Sequence, residues 1–552
     1  MFLPDNKKLG QWTKDLVDEC REDVGARIAV AQALRNWRYT GTDVGSPAIY
    51  NRLNPHLDRL ASYLFSPADL RFHVEFENSY PESTLQMAQT AGRYLSSQFD
   101  HQDLDQRFAQ GVDVSLTYGA AFMKLMWGNK GLTGKLVMPW NFAVYRPDIT
   151  NLHEQEAMVE TTYMTLPALW RRIGHLPNAE KLYKRAETHA TKGDTEDGMD
   201  NFLHAVVLAG TNPVVNTSGG TVNEPGGTAS TGGSMNFGIP SSANNRLLVK
   251  VHEIAVIDDT RGDYTTIQLV EPDIIIYPRM KRGNLFVDGQ VPYTLIQPNH
   301  MEGYLFGRPE IADLVMLQAL LRDRLEDIKK MMGLQYDKLL AFIGFSGMND
   351  EMYDQFKQNG YIAQETGTGK VEDLTPKLPE KAFEELKEII AFMNDVSGFQ
   401  NIMSGQGESG VRAGNHAAML LKTASPRLRD RAILVEKQCG EVGDKALDLC
   451  AAKDAKMHTT EDGTEFVLSQ LPEDFRVTVD SHSSSPIYED DHKELATFLM
   501  KAGIIDGASF LDMMPSIPMR ELLKSKYKVM EAKKAQMIKE HPELLMKGKG
   551  RK

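Results

Sequence analysis

What most constrains this chain is an ordered series of helices between residues 303 and 453. The stretch "LFGRPEIADLVMLQALLRDRLEDIKKMM", residues 305–332, reads as one long helix with five acidic and five basic side chains. Gly307 and Pro309 open it, and Ile311, Leu314, Leu317, Leu321, Leu325, Ile328 and Met332 form a single apolar seam. At 1.5 Å per residue, a helix over 308–338 is about 45 Å long. A small mixed segment follows at 339–379. A second helix at 380–399 places Phe383, Leu386, Ile390 and Met393 on one face. The glycine-rich stretch "NIMSGQGESGVRAGN", 401–415, leads into a third helix. Its small or apolar residues recur three and four apart, at Leu421, Ala424, Leu428, Ala432, Val435, Cys439, Val442, Ala446 and Leu449. At Ser425-Pro426 that helix either kinks or starts afresh, with Ser425 as N-cap and Pro426 at the first helical position. Each seam is one stripe wide, so a lone copy is expected to leave the first two helices poorly covered, and a ring of copies would cover them.

The rest of the chain supplies a different texture. Residues 1 to about 130 read as mainly helical. "SPAIYNRLNPHLDRLASYLFSP", 46–67, has helical spacing, with Ser66-Pro67 as its stop. In 103–127 a helix gives way to the strand-like "AAFMKLMW", with Gly119 at the joint, and 135–148 reads as short strands broken by Pro139 and Pro147. Residues 246–297 alternate as strands, and Val287-Asp288-Gly289-Gln290 marks a hairpin turn. Between these lies 211–245, with seven Gly, ten Ser or Thr and one charge, Glu224, among its 35 residues. That composition buries too little to offset its ordering entropy and predicts a flexible excursion. The expectation is an α+β chain, mainly helical, and 552 residues suffice for two to four core-bearing domains.

Composition narrows the function. Hydrophobic residues at 41% and charged residues at 25% suit a soluble globular chain, and no apolar run approaches the roughly 20 residues that span a bilayer. The N-terminal stretch lacks the apolar core of a signal peptide. Three cysteines, Cys20, Cys439 and Cys450, argue for a reducing compartment and lack zinc-site spacing. A net charge of −13 disfavours a protein that grips nucleic acid over its whole surface. "ETGTGKVED" lacks the upstream glycine of a P-loop, where Gln364 stands, and Val371 follows Lys370 in place of Ser or Thr. "YEDDHKE", 488–494, reads as the acidic first turn of a helix more readily than as a metal site. Ser409 in "GQGESG" is not a nucleophile elbow. No catalytic residue, metal site or cofactor is expected, and the chain reads as a non-enzyme.

Several stretches, taken in order, resemble the portal proteins of tailed bacteriophages, in particular those of short-tailed phages (podoviruses). They are "NRLNPHLDRLASYLFSPADLRFHVEF" (51–76), "SLTYGAAFMKLMWGNKG" with "VMPWNFAVYRPD", "GYLFGRPEIADLVMLQALLRDRLEDI" (303–328) and "SGVRAGNHAAMLLKTASPRLRDRAILVEKQ" (409–438). Together they cover residues 46 to about 450. The resemblance implies a ring, a dodecamer, at one capsid vertex, through which double-stranded DNA enters in packaging and leaves in ejection. It divides the chain into a wing (1–302), a first stem helix (303–338), a clip (339–379), a second stem helix (380–399) and a tunnel loop (400–414). The long helix and strands of the wing (415–485) follow, then a crown with a basic C-terminal tail (486–552). Implied partners are the terminase motor, a tail adaptor, and capsid and scaffolding proteins, with no membrane. The implied location is the virion, reached through the host cytoplasm during assembly. The 211–245 excursion has no counterpart in that pattern, and the tail after 520 is also unplaced.

Within this expectation particular residues take roles. A channel must hold DNA without binding it, and the second stem helix offers Glu380, Glu384, Glu385, Glu388 and Asp395 against Lys381 and Lys387. Repeated around a ring, Glu384, Glu385 and Glu388 would line the channel and repel phosphates within a screening length of roughly 8 Å. Glu408, Ser409 and Arg412 would belong to the tunnel loop. Asp350, Glu351, Lys357 and Lys370 would belong to the clip that docks motor and adaptor. Residues 521–552 hold ten Lys or Arg against four Glu, a tail suited to touching DNA or floating free. The competing expectation is another oligomeric virion component, of the capsid or tail tube.

Overall fold

The computed structural model describes residues 3–4, 6–43, 50–67, 70–128, 131–174, 179–192, 247–258, 263–271, 274–277, 291–336, 340–343, 354, 370–375, 377–397, 426–460, 463–480, 496–502, 507, 510, 526–527 and 530. Within them the chain is a mixed α+β protein in which helices predominate. The expected excursion at 211–245, the turn at 287–290, the glycine-rich stretch at 401–415 and the acidic cluster at 488–494 lie outside the described residues, as does most of the basic tail.

The N-terminal half begins with α1 (Asn6–Cys20), α2 (Val24–Thr40), α3 (Leu53–Leu64), β1 (Arg71–Phe76), α4 (Glu82–His101) and α5 (Leu104–Tyr118). Strands β2 (Ala121–Gly128), β3 (Gly131–Val137), β4 (Phe142–Val144) and β5 (Ala157–Thr165) follow, then α6 (Leu166–Ile173), α7 (Ala179–Thr188) and β6 (Thr191–Lys192). After the undescribed segment come β7 (Leu247–Asp258), β8 (Asp263–Val270), β9 (Ile274–Tyr277) and β10 (Tyr293–Ile296). Strands β4-β5-β7-β8-β9 form an antiparallel sheet with β6 added beside β7. Because side chains alternate across a strand, this sheet buries both faces. Val159, Ile254, Val256 and Leu269 meet Leu9, Leu16 and Val17 of α1 on one face. Met158 and Ala255 meet Phe122 and Tyr293 of a three-stranded sheet, β10-β2-β3, on the other, where α6 and α7 also settle.

The C-terminal half supplies α8 (Glu310–Tyr336), β11 (Leu340–Ile343), β12 (Lys370–Asp373), α9 (Ala382–Ser397), α10 (Pro426–Lys453), β13 (Met457–Thr459), β14 (Glu465–Val467) and β15 (Phe475–Asp480). The largest core gathers α3, α4, α5, α8, α9 and α10 around β1 and β15, which pair antiparallel. The seam read from the sequence of α10 is fully internal: Leu428, Ala432, Val435, Cys439, Val442, Ala446 and Leu449 are all buried. Leu421, Ala424 and Ser425 lie outside the described residues. Two chain reversals meet where α8 starts. Gly119 (φ 97°) joins α5 to β2, and Gly307 (φ 67°) precedes α8. A Cβ on Gly119 would fall 2.6 Å from the Phe306 carbonyl oxygen, so the crossing requires glycine by both conformation and space.

Helices close the open edges of the sheets with side chains. The Phe72 N–H on β1 donates to Ser96 Oγ of α4 at 3.1 Å, and the Val477 N–H on β15 donates to Asp444 Oδ1 of α10 at 2.6 Å. Lys445 Nζ donates to the Tyr293 carbonyl of β10 at 2.7 Å. Just past that strand, the Gln438 amide exchanges two hydrogen bonds with the backbone of Gln297, at 3.0 and 3.1 Å. An unpaired edge invites association with other strands, and these contacts remove that opportunity.

Candidate assembly interface

Helices α8 and α9 lie against one another, with the β11–β12 ribbon between them in the chain. Arg324 Nε of α8 meets Glu385 Oε1 of α9 at 2.8 Å. The apolar seam of α8 points inward as far as Ile328, whereas Met332, expected in the same seam, is exposed. Ile311, Leu314, Leu321 and Ile328 are buried, and Leu317 and Leu325 are partly buried against the same core. This corrects the expectation that the seam is too narrow for one chain to satisfy. Leu321 is 1% exposed in a single copy, because α3, α5 and α9 all reach α8. On α9, Ile389 and Met393 are buried, while Phe383, expected to share a face with Leu386, Ile390 and Met393, is 53% exposed.

A second apolar set points away from that core. Met316 is 77% exposed and Leu320 is also exposed. With Asp323 and Asp327 they recur at steps of four, three and four, so they run along one side of α8. On α9, Phe392 and Val396, four apart, are exposed as well. This set lies off the main seam, and its four-residue spacing is its only signal in the sequence.

Glu384, Glu385 and Glu388 are all exposed on α9. Glu384 and Glu388 share one side with Asp395, while Glu385 turns to Arg324 of the same chain. Lys370 is exposed at the start of β12 and pairs with Glu372. Asp350, Glu351, Lys357, Glu408, Ser409 and Arg412 lie outside the described residues.

Among the described residues, one cluster of buried charge is paired within the sheets. Lys124 Nζ of β2 lies 2.5 Å from Glu160 Oε2 of β5 and 2.6 Å from Glu253 Oε1 of β7, and Lys135 of β3 and the Tyr293 hydroxyl complete the cluster around Glu160. Burial pulls the Lys124 pKa down, but Glu253 and Glu160 outweigh it and hold the ammonium charged. Burial raises the Glu160 pKa, and its two lysines reverse the sign. Nothing in the sequence announced this cluster, because its members are distant in the chain. Where α8 begins, a cavity of about 290 Å³ is lined by Asn299, His300, Arg308, Glu310, Asp313 and Arg431. Arg431 Nη2 lies 3.0 Å from Glu310 Oε2 and Arg308 pairs with Asp313, while Arg431 Nη1 is buried without a hydrogen-bond partner among the described residues. The three thiols are buried, and burial pushes those of Cys20 and Cys450 up to about 12, so they are poor nucleophiles. Among the described residues, no His, Cys, Asp and Glu side chains gather as a metal site, and no helix is long and apolar enough to cross a membrane.

No family model matches this chain, and no curated protein matches it either.

Proposed function

We propose that copies of this chain assemble into a ring of the portal type, a channel through which double-stranded DNA enters and leaves a phage capsid. One observation carries the reading. The pair α8 and α9, already satisfied on its inner side, keeps large apolar side chains outside, Met316 at 77% and Phe392 at 54% exposed. Adjacent copies would bury that set at about 25 cal/mol per Å². The exposed carboxylates Glu384, Glu388 and Asp395 of α9 supply the sign that a DNA conduit needs, since phosphate-binding cations would arrest the duplex. In this reading α8 and α9 are the stem and the β11–β12 ribbon belongs to the clip. The segment 400–414 would form the tunnel loop. The terminase motor and tail adaptor would dock at the clip, and capsid and scaffolding proteins would hold the ring at its vertex.

The test is electron microscopy of the purified full-length chain. Rings of about twelve copies with a central channel wide enough for duplex DNA, about 20 Å, support the proposal. The Met316→Glu, Phe392→Glu double variant should remain folded by circular dichroism and lose the rings. A monodisperse monomer at micromolar concentration sinks the ring, and a closed shell or stacked tube favours a capsid or tail-tube component instead.

A further inference from the structure

We propose that His252 is an acid-released clasp that holds the N-terminal helix α1 on the six-stranded sheet. His252 lies on β7, 1% exposed, on the sheet face that α1 covers. It stands opposite Thr161 of β5 in the strand register. Its Nδ1 is 3.0 Å from Thr161 Oγ1 and its Nε2 is 3.1 Å from Glu271 Oε1. Arg21, the residue after α1, also bonds Thr161 Oγ1.

The donors and acceptors fix one direction. A guanidinium only donates, so the Thr161 oxygen accepts from Arg21. The threonine hydroxyl hydrogen then goes to Nδ1, and Nε2 carries the ring proton towards the Glu271 carboxylate. The chain Arg21, Thr161, His252, Glu271 is complete only with a neutral imidazole. A proton on Nδ1 breaks it, because two cationic N–H groups would then converge on one threonine oxygen whose own hydrogen loses its acceptor. Thr161 and His252 are fixed by the strand ladder, whereas Arg21 is only partly buried, so Arg21 is the group that leaves.

Among the described residues, the charged groups facing the ring are Arg21 at the end of α1, Glu271 after β8 and Lys250 on β7 itself. Lys250 Nζ lies 3.4 Å from Glu271 and competes for the same carboxylate. Burial lowers the imidazole pKa below its ordinary 6.5, with Glu271 opposing, so the clasp is closed at neutral pH and opens as acid protonates the ring.

Hydrogen–deuterium exchange of the full chain, read by mass spectrometry on peptides from residues 6–20, tests it. Rates are corrected for intrinsic chemistry and compared at about pH 7.5 and about pH 5, either side of the ordinary histidine range. Protection of α1 should fall about tenfold on acidification, as the released helix opens more often. His252→Gln should abolish that fall. If the glutamine variant fails to fold, Arg21→Gln serves, because without the guanidinium there is no repulsion at Thr161 and the fall on acidification should be clearly smaller than in the parent. An unchanged ratio in the parent chain, or the same tenfold fall in the variant that folds, overturns the proposal.

Discussion

Asp444 of α10 accepts the Val477 N–H of β15 at 2.6 Å, so one carboxylate stands where a further β-strand would otherwise pair. Burial pushes its pKa up to about 6, with Asp448 and Glu441 adding to the rise while the Val477 N–H and Arg476 oppose it. The folded pKa lies above the unfolded value of 3.8, so the folded state holds the proton more tightly. Stability from this group is therefore present at acid pH and declines as pH rises from about 4 to about 6. Because the carboxylate is partly exposed, we expect about 1–2 kcal/mol across that window. Asp444→Asn keeps an acceptor and should flatten this part of the pH–stability curve measured by urea unfolding. Asp444→Ala strands a buried N–H and should cost about 1–3 kcal/mol at every pH.

The same contact depends on two glycines. A Cβ on Gly440 would sit 2.8 Å from the Val477 carbonyl oxygen, and one on Gly443 would sit 2.7 Å from Val477 Cγ1 and 2.9 Å from the Phe72 ring. Gly440→Ala should destabilise by about 1–3 kcal/mol, since backbone must shift and overpacking outweighs the gain in helix propensity. Gly333 of α8 is the control: a Cβ there meets nothing, and Gly333→Ala should stabilise by up to about 1 kcal/mol. Thermal denaturation of the two variants beside the parent measures both signs, and equal effects would show that α10 does not abut β15 this closely.

How far the sequence could be read depends on the range of the contact. The helix at 308–338 appears as Glu310–Tyr336 and that at 380–399 as Ala382–Ser397, because period and breakers are local signals. Gly119 sits at the α5–β2 joint for the same reason. The identity of the partner of a seam is not local. The Leu321 seam reads as unsatisfied because α3 (Leu53–Leu64) and α5 (Leu104–Tyr118) lie far earlier in the chain, and no periodicity reports that they return to cover it. The Lys124, Glu160 and Glu253 cluster was invisible on the same grounds, as was the chain from Arg21 to Glu271. Of the candidate site, the acidic side of α9 was legible in the spacing of Glu384 and Glu388. The pairing of Glu385 with Arg324 was not.

The Lys124 cluster predicts an asymmetry between breaking and replacing it. Lys124→Met removes the ammonium and leaves Glu160, 2% exposed, with Lys135 alone and Glu253 without its buried cation. The loss should be about 3–5 kcal/mol, the usual cost of an uncompensated buried charge. The triple change Lys124→Met, Glu160→Gln, Glu253→Gln removes all three charges and should recover most of that loss. Chemical denaturation of the three chains reads the difference. Equal destabilisation by the single and triple changes would mean that packing, not charge, sets the effect.

Leu321 and Met316 share helix α8 and should respond in opposite ways to the same substitution. Leu321 is 1% exposed within one chain, so Leu321→Asp places a carboxylate among apolar side chains. Several kcal/mol should be lost, enough to unfold the chain or to leave it aggregating. Met316 is 77% exposed, so Met316→Asp changes little in a single copy, within about 0.5 kcal/mol. Its effect appears only where copies meet, as a lower assembled fraction at equal protein concentration. Thermal melting separates the first effect from the second, and light scattering coupled to size-exclusion chromatography measures the second directly. A Leu321→Asp chain that melts like the parent would show that α8 does not bury this seam. A Met316→Asp chain that assembles like the parent would show that Met316 lies outside the contact between copies.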